Sequence, residues 1–143
     1  EHLRGRVGCF LFATFLAYSG ALTPDFAEAV REIGTKLMAN SPSEMFFKGI
    51  VAGWLIAALV WMMPSAEGTE IFVITLMTYL IALGGFTHVI AGSAEAIYLW
   101  LIGQESLARV VFGFFLPTLA GNVFGGTLLF AVISYAQVRE ELD

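Results

Sequence analysis

The chain has 143 residues, 58% of them hydrophobic and 13% charged. That charged share is about half of the roughly 25% typical of a soluble domain, and with a mean hydropathy of +0.81 it points to lipid as the solvent. A formal net charge of −5 with only seven scattered Lys and Arg excludes the basic footprint of a nucleic-acid binder, and the lone Cys9 excludes a disulfide framework.

The start, EHLRGRVG, has no Met, and its arginines lead straight into an apolar run. It imitates a signal peptide, but Leu22-Thr23-Pro24 makes a poor small-residue cleavage site, so residue 1 reads as an internal position of a longer protein. Residues 7–22 carry no charge and read as a spanning helix of roughly 24 Å. Residues 23–40 change character. Thr23 can cap, Pro24 suits the first helical position, and Asp25 and Glu28 complement the positive end of the helix dipole. Phe26, Val30, Ile33 and Leu37 follow at helical spacing, so this segment is an amphipathic connector at the membrane surface. Residues 45–63 form the next span, with Lys48 near enough to its end to snorkel.

Of the acidic and basic residue types, residues 71–103 hold only His88 and Glu95. One straight helix of this length would run about 50 Å, far beyond the ~30 Å hydrocarbon core, yet two full spans need roughly 40 residues and a turn. A span broken near residues 84–92, at Gly84, Gly85 and Gly92, fits the length. Such breaks are tolerated where protein or a watery cavity satisfies the freed backbone groups, and they commonly mark a substrate path. A second amphipathic connector is expected over 104–109, and a last span over 110–136. The chain thus reads as an all-α membrane protein, residues 1–143 forming a single, partial transmembrane domain.

Two small-xxx-small patterns, GIVAG (Gly49 to Gly53) and GNVFG (Gly121 to Gly125), predict close helix packing. In these patterns and the segments around them, the chain resembles the formate/nitrite transporter family. GIVAGWLIAALVWM (Gly49 to Met62) is similar to the family's fourth helix, GGFTHVIA (Gly84 to Ala91) to the break in its fifth, and LPTLAGNVFGG (Leu116 to Gly126) to its sixth. The resemblance covers the family's C-terminal half, from the third spanning helix onward. It implies an aquaporin-like inverted-repeat bundle of six spanning helices with a broken fifth helix, assembled as a homopentamer with one pore per protomer. It implies residence in the inner (plasma) membrane as a multi-pass protein with a cytoplasmic C-terminus, and hence an external face for residues 24–40. Arginine and lysine counts do not choose an orientation, since Arg4, Arg6 and Arg139 balance Arg31, Lys36 and Arg109.

The resemblance further implies that His88 is the central pore histidine, with Phe86 the aromatic before it, Ile56 and Ile81 apolar constrictions, and Lys36 a vestibule lysine. The chain departs from the family pattern at Thr87, where a Glu is usual, at Gly92, where an Asn is usual, and at Gly53, where an amide is usual. Glu95 is a carboxylate that the pattern lacks. The function this implies is a channel or transporter for a small monovalent anion or its conjugate weak acid, linked to proton movement.

Intramembrane ionisable residues are functional candidates by default. An imidazole titrates near pH ~6.5, so His88 could donate a proton to the permeant anion or hydrogen-bond its acid. It could instead tie the loop to a backbone carbonyl or to Asn122. Thr87 is a partner for the imidazole. Glu95 either holds a proton and lowers the anion preference of the pore, or caps the second half-helix or reaches an entrance. Asn122 either cross-links helices or touches substrate. The alternative to transport is a structural membrane subunit with a transporter-like fold. An enzyme is not expected, since the chain has no nucleophile–His–carboxylate set and no HExxH or CxxC pattern, and no cofactor is expected.

Overall fold

The computed structural model describes residues 2–142, and the side chains of residues 7–136. The side chains of Arg4, Arg6 and Arg139 lie outside the described residues. Every regular element among the described residues is helical: α1 (His2–Tyr18), α2 (Pro24–Met38), α3 (Pro42–Met62), α4 (Glu70–Leu83), α5 (Val89–Leu101), α6 (Leu116–Val123) and α7 (Phe130–Leu142). A 3₁₀ turn, Met63–Ser65, extends α3, and π-helical stretches, Arg109–Phe115 and Phe124–Leu129, flank α6. Their five-residue hydrogen-bond reach is visible where they end, with Leu116 N–H donating to the Val111 carbonyl and Phe130 N–H donating to the Gly125 carbonyl.

Local chemistry sets the helix ends. α1 stops at Tyr18 rather than at residue 22, because Gly20 adopts φ +65°, a left-handed conformation that favours glycine. Thr23 caps α2 by accepting the Phe26 N–H at 3.4 Å, with Pro24 at the first helical position. Ser41 and Glu44 form a reciprocal capping box on α3: Ser41 N–H donates to Glu44 Oε2 at 2.8 Å, and Glu44 N–H donates to Ser41 Oγ at 3.3 Å. Of the segment 104–109, expected to be an amphipathic connector, residues 104–106 are non-helical. Gly103 takes φ +76°, and the next helix starts at Leu107, where Ser106 Oγ accepts the Arg109 N–H at 3.2 Å.

Among the described residues, two helical stretches are long and apolar enough to cross a membrane, Pro42–Ser65 and Arg109–Ala136. The run 71–103 is divided. α4 has 14 residues and α5 has 13, or about 21 and 20 Å, each short of a ~30 Å core.

The fold resolves into two compact units. The first takes the chain up to Met45 together with Val89–Pro117. Its core is Ala13, Met38, Met45, Ala96, Tyr98, Leu99, Val110 and Phe114, built on α1, α2, the start of α3, α5 and the first π-helical stretch. Cys9 Sγ donates to the Ile90 carbonyl at 3.3 Å and Tyr18 Oη to the Leu101 carbonyl at 3.2 Å, which lays α1 along α5. Arg109 donates to the Met38 carbonyl at 2.6 Å and so closes the C-terminus of α2.

The second unit takes Phe46–His88 and the chain from Thr118. Here α3 meets α6 and the second π-helical stretch backbone to backbone. A Cβ on Gly121 would overlap the Phe46 carbonyl, one on Gly125 the Ile50 carbonyl, and one on Gly53 the Asn122 carbonyl. The two small-xxx-small patterns thus face each other, and the missing side chains are what permit the approach.

Candidate functional site

The non-helical stretch between α4 and α5 belongs to the second unit. α4 closes with a Schellman arrangement in which Gly85 N–H donates to the Ala82 carbonyl at 3.1 Å and Phe86 N–H to the Ile81 carbonyl at 3.0 Å. Gly85 carries the required left-handed turn, at φ +60°. Gly84 has an ordinary helical φ of −77° but lies under the Phe86 ring, which a Cβ would overlap. Phe86, Thr87 and His88 follow in extended or irregular backbone, and helix resumes at Val89.

Asn122, on α6, holds this stretch. Its Nδ2 donates to the Gly49 carbonyl and to the Thr87 carbonyl, each at 2.9 Å. A side-chain amide has two N–H donors, and these two bonds use both. The amide therefore ties the 86–88 backbone to α3, and the third party to this junction is Gly49, whose missing Cβ leaves room for Thr118 and Asn122. Thr87 is only 1% exposed, and Thr118, one helical turn before Asn122, is 0% exposed. The Thr118 hydroxyl is buried with no partner among the described residues. His88 is half-buried at the end of the stretch.

The other expected site residues distribute as follows. Ile56 is half-buried on α3, and Ile81 is half-buried in the last turn of α4, where its carbonyl receives Phe86. Gly92, Glu95 and Lys36 belong to the first unit. Gly92 is not part of the break. It is a buried residue inside α5, and a Cβ there would come within 2.7 Å of the Phe114 ring and 3.1 Å of Leu37. A glycine inside a helix costs only about 1 kcal/mol, and here the missing side chain serves packing. Glu95 is the seventh residue of α5, too deep to cap that helix. It lines a cavity of about 290 Å³ with Phe12, Leu16, Phe26, Val30, Ile33, Ala91 and Ala94. Lys36 is exposed in the last turn of α2, where a cation complements the helix dipole. Thr118 was not visible to sequence reasoning, because a single Thr in an apolar helical run has no distinguishing pattern; its spacing of four from Asn122 is the one available signal.

The sequence profile of the formate/nitrite transporter family matches residues 5–136. The chain belongs to the formate/nitrite transporter family. It is 45% identical over 141 residues to the inner membrane protein YfdC of Escherichia coli, a match covering 96% of this chain and 46% of that protein. It is 31% identical over 125 residues to formate-nitrite transporter 2 of Toxoplasma gondii, covering 82% of this chain and 26% of that protein. An uncharacterized transporter of Bacillus subtilis, YwcJ, is 24% identical over 134 residues, covering 90% and 52%. The chain spans about half or less of the length of these relatives. No solved structure gives a significant match. In this chain the Asn122 amide, bound to the Gly49 and Thr87 carbonyls, holds the stretch that carries His88.

Proposed function

We propose that this formate/nitrite transporter family chain contributes to a membrane pore that carries a small monovalent anion as its conjugate weak acid, with His88 as the proton-handling residue. In this reading α4 and α5 form one interrupted span, the fold is the aquaporin-like inverted repeat, and the protein acts as a homopentamer in the inner membrane with its C-terminus in the cytoplasm. The observation that carries it is the immobilised stretch 86–88. Two short apolar helices flank it, an imidazole sits in it, and the Asn122 amide fixes its backbone to α3.

The mechanism follows from desolvation. An unpaired carboxylate loses several kcal/mol or more on leaving water, so a dry constriction at Ile56 and Ile81 bars the anion. Lys36 gathers anions at the vestibule. Protonation removes the charge, and His88 either supplies that proton or hydrogen-bonds the acid once formed. Thr87 and Phe86 shape the passage around the imidazole. Asn122 acts through the backbone, with its amide hydrogens already engaged, and is a positioning residue in this scheme.

The test uses the full-length parent protein in liposomes. Formate, nitrite and acetate fluxes are followed across a pH gradient, with His88→Ala beside wild type. The expected outcome is a loss of flux of about tenfold or more, or of its pH dependence, in a variant that still assembles. Equal flux in the two proteins removes His88 from the mechanism. No flux from the wild type for any of the three solutes supports the structural-subunit alternative.

A further inference from the structure

Glu95 is the one charged residue in α5, and it faces the cavity of about 290 Å³ described above. Every other wall residue is apolar: Phe12 and Leu16 from α1, Phe26, Val30 and Ile33 from α2, and Ala91 and Ala94 from α5 itself. The space is large enough for several waters or a small solute. No hydrogen bond or ion pair among the described residues reaches the Glu95 carboxyl. The charged residues of α2 (Asp25, Glu28, Arg31, Glu32 and Lys36) are not in the wall. Arg31 is paired with Glu28, and Arg109 is engaged by Glu105 and the Met38 carbonyl. Among the described side chains, the other titratable groups of the elements packed here, Cys9 and Tyr18 on α1 and Tyr98 on α5, are also absent from the wall, and Cys9 and Tyr18 donate to the Ile90 and Leu101 carbonyls. Among the described residues, Glu95 is therefore the one acidic or basic group in the wall of this cavity.

We propose that Glu95 is a charge-selectivity residue: its carboxyl makes this cavity a compartment that a small weak acid occupies as the neutral molecule and from which its anion is turned away. Phe12, Phe26 and Ile33 are more than half exposed, so the cavity opens at the surface of the first unit; beside its apolar walls like charges repel more strongly than in open water, and those walls offer an anion no compensating donor. The uncharged acid meets no such penalty and can hydrogen-bond the carboxyl. This inference rests on the transport reading but is tested separately from it.

The experiment uses the full-length protein in liposomes with Cys9→Ser and Ala91→Cys, which places a thiol on the cavity wall one helical turn from Glu95. Labelling rates of a negatively charged and a positively charged methanethiosulfonate reagent are compared with and without Glu95→Gln. The expected result is labelling about tenfold slower for the anionic reagent, with Glu95→Gln bringing the two rates within about twofold. A ratio unchanged by Glu95→Gln overturns the proposal, as does a thiol that neither reagent reaches. If wild type transports, Glu95→Gln should also raise anion current about tenfold; a loss of current instead would make Glu95 structural and overturn the proposal. Failure of wild-type flux with a Glu95-dependent labelling ratio would reject the transport reading alone.

Discussion

Gly84 and Gly85 are neighbours with different reasons to be glycine. Gly85 takes a left-handed φ, which costs another residue roughly 1–2 kcal/mol, whereas Gly84 makes room for the Phe86 ring. Gly85→Ala is therefore expected to lower stability by about 1–2 kcal/mol, read by thermal unfolding in detergent, with the Phe86 environment unchanged. Gly84→Ala should instead displace Phe86 and shift its aromatic NMR signals. Asn122→Ala removes the donors to the Gly49 and Thr87 carbonyls, at about 1–3 kcal/mol for groups left unsatisfied, and Asn122→Asp should rescue little because an ionised carboxylate cannot donate. Part of this was legible in the sequence. His88 and Glu95 stood out as ionisable groups in an apolar run, and a glycine pair signals a helix end. Gly92 was misread because composition does not distinguish a glycine needed for its φ from one needed for its missing Cβ. The capping role considered for Glu95 disappeared once α5 began at Val89.

Helices α3 and α6 are held by surfaces with almost no side chain between them. Gly121→Ala would push a methyl group into the Phe46 carbonyl, and since that obstacle is backbone, the helices must separate; a loss of more than 1 kcal/mol, the scale of small core overpacking, should appear in unfolding assays. Gly8→Ala on α1 is the control. Its Cβ would meet nothing within 4 Å, so helix propensity should make it neutral or stabilising by up to about 1 kcal/mol. At this scale the two small-xxx-small patterns were readable, as was the cap at Thr23. The π-helical stretches were not, because no residue type encodes them.

For the molecule as a whole, composition pointed to lipid, since so few charged residues poorly clothe a soluble surface, and the lengths of the apolar runs indicated the helical class. The family was legible from three short pieces in the right order, none decisive alone. Orientation was not, because the basic residues balance. The proposed topology puts α2 outside, so a cysteine at position 36 (Lys36→Cys, with Cys9→Ser) in the full-length protein should react with an impermeant reagent added to intact spheroplasts. Reaction only after the cytoplasmic face is opened would invert the topology.

The second π-helical stretch, Phe124–Leu129, also bears on which length changes the chain tolerates. A π-helical turn carries more residues than an α-helical one, so this stretch holds slack. Removing exposed Leu128 is expected to let it relax to α-helix and keep Phe130 edge-on to Trp61, where their ring centroids now lie 6.5 Å apart. Removing exposed Ala120 from α6 meets no slack and rotates one flank by about 100° relative to the other, taking either Thr118 or Asn122 away from Gly49. Two one-residue deletions eight positions apart should therefore differ sharply in expression and folding, and length variation in natural homologues should collect in the stretch that holds the spare residue.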